Sequence, residues 1–286
     1  MPPIVVSLSG GKDSVAMLLR LVMHYGAARV IAHYQVLPED WPETLPYVQQ
    51  LCTHLGVRLV AQQILYQPVG DRCSVKRREI RDIHSEADIV PLGTPGVIAG
   101  VTDLAFRRKW PPSPATRYCT KYGKIELLDA WLRQHRVQLG PDLIIALGER
   151  AGESPRRARK PTLWPRLRWA DGTVAWNWEP VHDLSRRAIF RTLHAHTVAP
   201  HPAYAAQGMT PWQMYDQDTE GGPRTGCRFC IYATQSDVCH QAQRAENQAL
   251  RQYIEYFETT TGRTWWMQRA MTTLFDPERP FQLRLI

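Results

Sequence analysis

The chain has 286 residues, 44% hydrophobic and 22% charged, enough to bury a sizeable core as one large domain or as a domain with an appendage. Its 35 Lys and Arg against 27 Asp and Glu leave a net charge of +8, a balance that points to polyanionic partners. No apolar stretch reaches the ~18 residues of a membrane span, and the start lacks a signal peptide's charged and long apolar segments. A cytoplasmic protein with no membrane partner is therefore expected.

In chain order, strands are predicted at about 3–8, 29–35, 58–64 and 142–147, with helical patterns at 13–25, 43–55 and 121–137 between them. Alternation of this kind indicates an α/β fold with a parallel sheet and right-handed crossovers. Residues 65–118, rich in Pro and Gly, are read as a lid or a helical insertion. A basic, Trp-rich segment covers about 149–182. Helices are expected at 184–196 and, as one long polar helix, at about 232–262. The organisation expected is a nucleotide-binding domain over 1–180 and a helical C-terminal region over 181–286 that carries a Cys-x-x-Cys.

The first strand runs into "SLSGGKDSV", residues 7–15. A strand, a glycine turn and a helix start place backbone N–H groups and the positive end of a helix dipole at the carboxyl edge of the sheet, which suits a phosphate. Ser7, Ser9, Gly10, Gly11, Lys12, Asp13 and Ser14 are the candidate binding residues. The loop is not the commoner Gly-x-x-x-x-Gly-Lys-Ser/Thr type, because its glycines are adjacent. The serines supply hydroxyl donors and Lys12 a point charge. Asp13 repels a bare phosphate, so it is read as a helix cap or as acting through a Mg²⁺ ion.

"LGERAGESPRRA" at 147–158 places Gly148, Arg150, Glu153 and Arg157 near a strand end. Arg150 and Arg157 are read as forks for oxyanions, with Glu153 fixing one of them. The stretch 156–169, "RRARKPTLWPRLRW", mixes five arginines and a lysine with two tryptophans, a composition that suits phosphates and stacked bases and so a nucleic acid partner.

Of six cysteines, Cys227 and Cys230 form a Cys-x-x-Cys, Cys239 follows, and Cys119 lies upstream in "RYCTKYGK". Four thiolates satisfy tetrahedral zinc or an iron–sulfur cluster, and spacing does not separate the two. Cys52 lies on an amphipathic helix face and is read as a buried small hydrophobe. Cys73 sits among bases in "GDRCSVKRR", where a thiol pKa is lowered.

"SGGKDS" closely resembles the PP-loop of ATP pyrophosphatases, the adenine nucleotide α-hydrolase group. "LPEDWPETLPYVQQLCTHLG", "LGERAGESPRRA", "WEPVHDLSRRAIF", "HPAY" and "RTGCRFC" follow in the order of the phosphoadenosine-phosphosulfate (PAPS) reductase family. The resemblance implies a Rossmann-like, adenine nucleotide α-hydrolase-like fold. It also implies ATP with Mg²⁺ on the loop, catalytic roles for Lys12, Asp13, Arg150 and Arg157, and cleavage between the α and β phosphates. It further implies a [4Fe-4S] cluster on Cys119, Cys227, Cys230 and Cys239, zinc being second choice. One ligand departs from the family's pattern: the Cys-Cys pair is here Cys119-Thr120, with Lys124 after it, and Cys239 is the substitute. Two further departures bear on the reaction. No cysteine follows Cys239, so the tail thiol of a sulfonucleotide reductase is absent, and the loop is intact. The expectation is ATP-driven sulfur transfer to an acceptor, nucleic acid as in DNA phosphorothioation, with a cysteine desulfurase as donor. A sulfonucleotide reductase, a tRNA thiolase and a non-catalytic ATP-binding subunit are the rival readings.

Overall fold

The computed structural model describes residues 2–70, 74–207, 225–266 and 271. Seven strands form one sheet in the order β4-β3-β2-β1-β5-β7-β6. β1 (Ile4–Ser7), β2 (Val30–Gln35), β3 (Arg58–Pro68), β5 (Ile144–Ala146) and β7 (Val174–Trp178) run parallel; β4 (Val75–Asp82) and β6 (Leu163–Arg168) are antiparallel edges. The chain is thus a Rossmann-like α/β fold with a helical C-terminal region. The central strands are apolar runs because helices cover both faces.

On one face α1 (Lys12–Tyr25), α2 (Thr44–Leu55) and a later helix pack on Ile4, Val6, Ala32 and Ala146. Helix α2 buries Leu45, Val48, Leu51 and Cys52, the helical spacing of one face. Burial pushes the Cys52 thiol up to about 12, so it behaves as the small hydrophobe expected. Gly56, in the left-handed region at φ 65°, ends α2 by donating to the carbonyls of Cys52 and Thr53.

Residues 65–118 hold β4 and α3 (Val101–Arg108) rather than a lid or a purely helical insertion. Beyond them lie α4 (Tyr118–Thr120), a π-turn at Lys121–Ile125, α5 (Glu126–Gln134) and α6 (Arg136–Leu139). Leu128, Trp131 and Leu132 of α5 cover the second face of the sheet against Val5, Ile31 and Ile145. After the short α7 (Pro155–Ala158), the Trp-rich segment forms the β6–β7 hairpin and extends the sheet.

α8 (Arg186–Ala195) contributes Ile189 and Leu193 to the same core as α1, so residues beyond 180 belong in part to the α/β layers. The helix expected over 232–262 is two: α9 (Gln235–Gln243) and α10 (Gln248–Thr261). The break is held by Asn247, whose amide donates to the Gln241 carbonyl at 2.7 Å. A Thr234–Asp237 capping box starts α9. These helices, with Trp265 and Trp266, pack on Leu104 and Ile64 in a separate core cluster. Among the described residues no helix is long and apolar enough to cross a membrane.

His33 and His201 are buried, and desolvation lowers each pKa to about 4. The His33 Nδ1 accepts from the Gln35 amide at 2.6 Å, and that of His201 accepts from the Ala203 N–H at 3.0 Å. Their Nε2–H groups then donate to Gln62 at 3.2 Å and Thr44 at 3.0 Å. Both folded pKa values lie below the ordinary 6.5, so these histidines contribute stability above pH 6.5 and lose it as pH falls toward 4. Proton–nitrogen correlation spectra at pH 6 are expected to show both as neutral Nε2–H tautomers.

Candidate functional site

β1 leads toward β2 on one side, and β5 lies on the other, so the sheet's topological switch point lies between β1 and β5, where open α/β sheets bind ligands outside the strands' carboxyl ends. Two loops meet there. After β1, Gly10 takes φ 74°, and Gly11 begins α1 with no side chain capping the helix. Of the first-turn N–H groups of this 14-residue helix, that of Lys12 donates to the Tyr204 hydroxyl at 3.5 Å, and none is taken by a capping side chain at Gly11. The Ser14 hydroxyl shapes the loop: it donates to the Gly11 carbonyl at 2.9 Å and accepts from the Ser9 N–H at 3.2 Å. Asp13 was expected to cap the helix or hold an ion. Instead its carboxylate takes Lys12 Nζ at 2.6 Å and Arg150 Nε at 2.5 Å.

The loop after β5 lies directly on this turn. A Cβ at Gly148 would stand 2.9 Å from both the Cα and the N of Ser14, so only glycine permits the approach. Arg150, 1% exposed, donates from Nε to Asp13 and from Nη1 to the Leu184 carbonyl at 3.2 Å. It was expected to clamp an oxyanion. The fold places it behind the loop, where it orients Asp13. Arg157 pairs with Glu153 and lies 3.7 Å from Glu149.

A cavity of about 610 Å³ opens over these loops, within the size range of ligand sites. Ser7, Ser9, Gly11, Lys12, Asp13 and Ser14 line it on one side, with Gly148 and Arg157 beside them. Gly10 and Arg150 are not in the lining. Cys119, Cys227, Cys230 and Lys124 line the same cavity, as do Lys160 ahead of β6 and Trp164, Arg166 and Asn177 of the β6–β7 hairpin. The structure therefore brings three of the four expected thiols to the same cavity as the loop. Cys239, on α9, is not among the lining residues. Among the described residues no group of three or more His, Cys, Asp or Glu side chains stands ready to hold a metal ion. The donor set as placed does not close a four-thiolate centre. Cys73 lies outside the described residues.

Sequence reasoning missed what holds the Cys-x-x-Cys turn. Arg228 donates from its N–H to the Glu39 carbonyl at 2.8 Å and from Nη2 to the Pro38 carbonyl at 2.7 Å. Phe229, at φ 52°, donates its N–H to Gln241 at 2.5 Å and accepts at its carbonyl from the Trp265 indole at 3.0 Å. The turn is thereby fastened to the exit of β2 and to the C-terminal helices. The one local signal is an arginine between the two cysteines. Also missed were Tyr204, whose hydroxyl accepts from Thr225 at 3.3 Å, and Glu39, whose carboxyl burial pushes up to about 7.

Lys124 sits on the π-turn, a distortion frequent at functional sites. The Cys227 sulfur, then Asp40 and the sulfurs of Cys230 and Cys119, favour its charge against desolvation and hold its pKa above the ordinary lysine value. Burial dominates at Cys227 and pushes that thiol well up despite Lys124.

Neither a protein-family model nor a curated protein matches the chain. Among solved structures, PAPS reductase from Candida auris, in a phosphate complex, aligns at 11% identity over 72% of this chain and 78% of its own, with a TM-score of 0.43. Candida glabrata FMN adenylyltransferase aligns at 11% identity over 70% of this chain and 49% of its own, at 0.38. Its complex with FAD and inorganic pyrophosphate aligns at 11% over 66% and 47%, at 0.35. The chain thus spans about half the length of the adenylyltransferase. At this identity the likeness concerns the path of the chain and nothing finer.

Proposed function

We propose that the chain is an ATP pyrophosphatase-type enzyme of sulfur transfer that adenylates an acceptor, a nucleic acid in our reading. One observation carries this: an uncapped helix start behind Ser9–Ser14 and three thiols line a single cavity. The triphosphate takes the N–H groups of the loop and the Lys12 charge. An acceptor oxygen attacks the α-phosphorus, the bond to the bridging oxygen of the β-phosphate breaks, and pyrophosphate leaves. A persulfide sulfur supplied by a cysteine desulfurase then attacks the adenylated centre, AMP leaves with the acceptor oxygen, and a second thiol, the two-electron reductant, cleaves the S–S bond, so that sulfur stays on the acceptor and a disulfide is formed. Arg157, Lys160 and Arg166 on the cavity wall are each held by carboxylates, so the charge that develops is balanced by the loop N–H groups and Lys12. Mg²⁺ supplies further neutralisation when bound. The Asp13 carboxylate is already shared by two cations, so no step is assigned to the ion.

The [4Fe-4S] reading for Cys119, Cys227, Cys230 and Cys239 rests on resemblance and composition, and no step is routed through it. Its check is the iron and acid-labile sulfide content of protein purified without oxygen. The reaction itself is tested by incubating that protein with ATP, Mg²⁺ and an oligonucleotide acceptor. AMP and pyrophosphate are the expected products. ADP and phosphate sink the proposal.

A further inference from the structure

The fold gathers basic residues from four separate stretches onto one face. Arg77 on β4 lies opposite Tyr66, whose ring meets Tyr122 edge-on at 5.6 Å. Lys121 lies 5.1 Å from the Tyr122 ring and Arg108 5.1 Å from it and 4.9 Å from the Tyr118 ring. Arg107 donates to the carbonyls of Val69 and Gly70, tying the end of α3 to the β3–β4 turn. Lys109 follows exposed. The row ends at Arg117, which lies over the Tyr232 ring at 5.2 Å and lines the cavity beside Cys119.

The charge here is poorly neutralised. Among the described residues Arg77 and Lys109 join no carboxylate, and Lys121 meets Glu126 only at 3.9 Å. In the stretch 156–169 Arg156, Arg159 and Arg168 likewise join no carboxylate among the described residues, while the three cations that line the cavity do. Lys160 is taken by Glu149 and Glu179, Arg166 by Asp129 and Arg157 by Glu153. Exposed cations on β4 alone are explained as protection of a sheet edge. That account does not reach α3 or the cavity mouth, nor does it call for aromatic rings. Trp110 is 47% exposed under Arg263 at 4.0 Å, and Tyr232 is 41% exposed. Exposed rings beside a cationic row suit a strand whose backbone is tracked and whose bases stack.

We propose that a single-stranded polynucleotide segment lies along this face, from β4 over the end of α3 to the cavity mouth at Arg117. This rests on the reading of the acceptor as nucleic acid and gives its path up to the cavity that Arg117 and residues of 156–169 both line. The test uses the full chain with a fluorescent 20-nucleotide oligomer (DNA and RNA, each single-stranded and duplex), titrated at several salt concentrations. The triple variant Arg77→Ala/Lys109→Ala/Lys121→Ala is expected to bind the single strand at least about tenfold more weakly, with a salt slope smaller by about two. Trp110→Ala is expected to weaken single-strand binding more than duplex binding. Arg156→Ala/Arg168→Ala is expected to bind as the parent does. Wild-type affinity in the triple variant overturns the track, as does loss of binding in the 156/168 variant alone. Loss of binding to phosphatidylserine vesicles with oligomer binding intact overturns it too. ATP affinity, read separately, keeps its parental value in the triple variant. An ATP defect in the parent with oligomer binding retained instead counts against the proposed reaction and leaves the track standing.

Discussion

Asp13→Ala is expected to lose both pyrophosphate release and about 3–5 kcal/mol of stability, because it leaves the Arg150 guanidinium buried without its carboxylate. The second effect distinguishes the geometry seen here from a purely catalytic Asp13, whose removal spares the fold. Urea unfolding measures it directly. Adding Arg150→Met removes the buried charge that Asp13 balances, so the double variant is expected to be more stable than Asp13→Ala and as inactive. An Asp13→Ala variant that melts like its parent contradicts the pair. One that keeps releasing pyrophosphate contradicts the role given to the loop.

Gly148→Ala is the second large effect. The added methyl meets the backbone of Ser14 at 2.9 Å and that of Asp13 at 3.1 Å, and backbone cannot swing aside as a side chain does. Overpacking of this kind costs about 1–3 kcal/mol. Here it also drives the β5 loop away from the start of α1, so ATP affinity is expected to fall by more than the stability loss accounts for. Gly26→Ala is the control. That glycine has φ 81° but open space around it, so its replacement tests backbone strain alone and is expected to leave ATP affinity unchanged. Equal effects of the two substitutions, measured by calorimetric titration, contradict the close-approach argument.

The central part of this fold was legible because buried parallel strands are written as apolar runs. Ile4–Val6, Val30–Ala32 and Leu143–Ala146 are such runs, and α1 and α2 follow the first two; β7, also parallel and interior, was not legible, because VAWNW breaks its apolar run with Asn177 inside the Trp-rich stretch. The edges were not legible for the opposite reason. β4 reads VKRREIRD, exposed along both faces, and β6 reads LWPRLR, with a proline inside. Their strand character comes from pairing with β3 and β7 rather than from their own composition. The break between α9 and α10 is likewise a tertiary event, set by the Asn247 side chain.

At the site, residue types were easier to read than roles. The glycine turn, Lys12 and Ser14 sit where a strand–loop–helix pattern puts them. Arg150 carries the same letters whether it grips a ligand or another side chain, and its burial is decided by α8 and the loop after β7, far along the chain. The expected thiols were scattered over more than a hundred positions, and only folding shows that Cys119, Cys227 and Cys230 reach one cavity.

Gly11 and Thr225 touch: a Cβ on the glycine would lie 3.1 Å from the threonine hydroxyl. Thr225 is two residues from Cys227, in a turn anchored at both ends. A molecule settling on the helix start therefore leans on the same short segment that carries the sulfur. A substituent on Gly11 would press on the segment that carries Cys227 before it met any ligand.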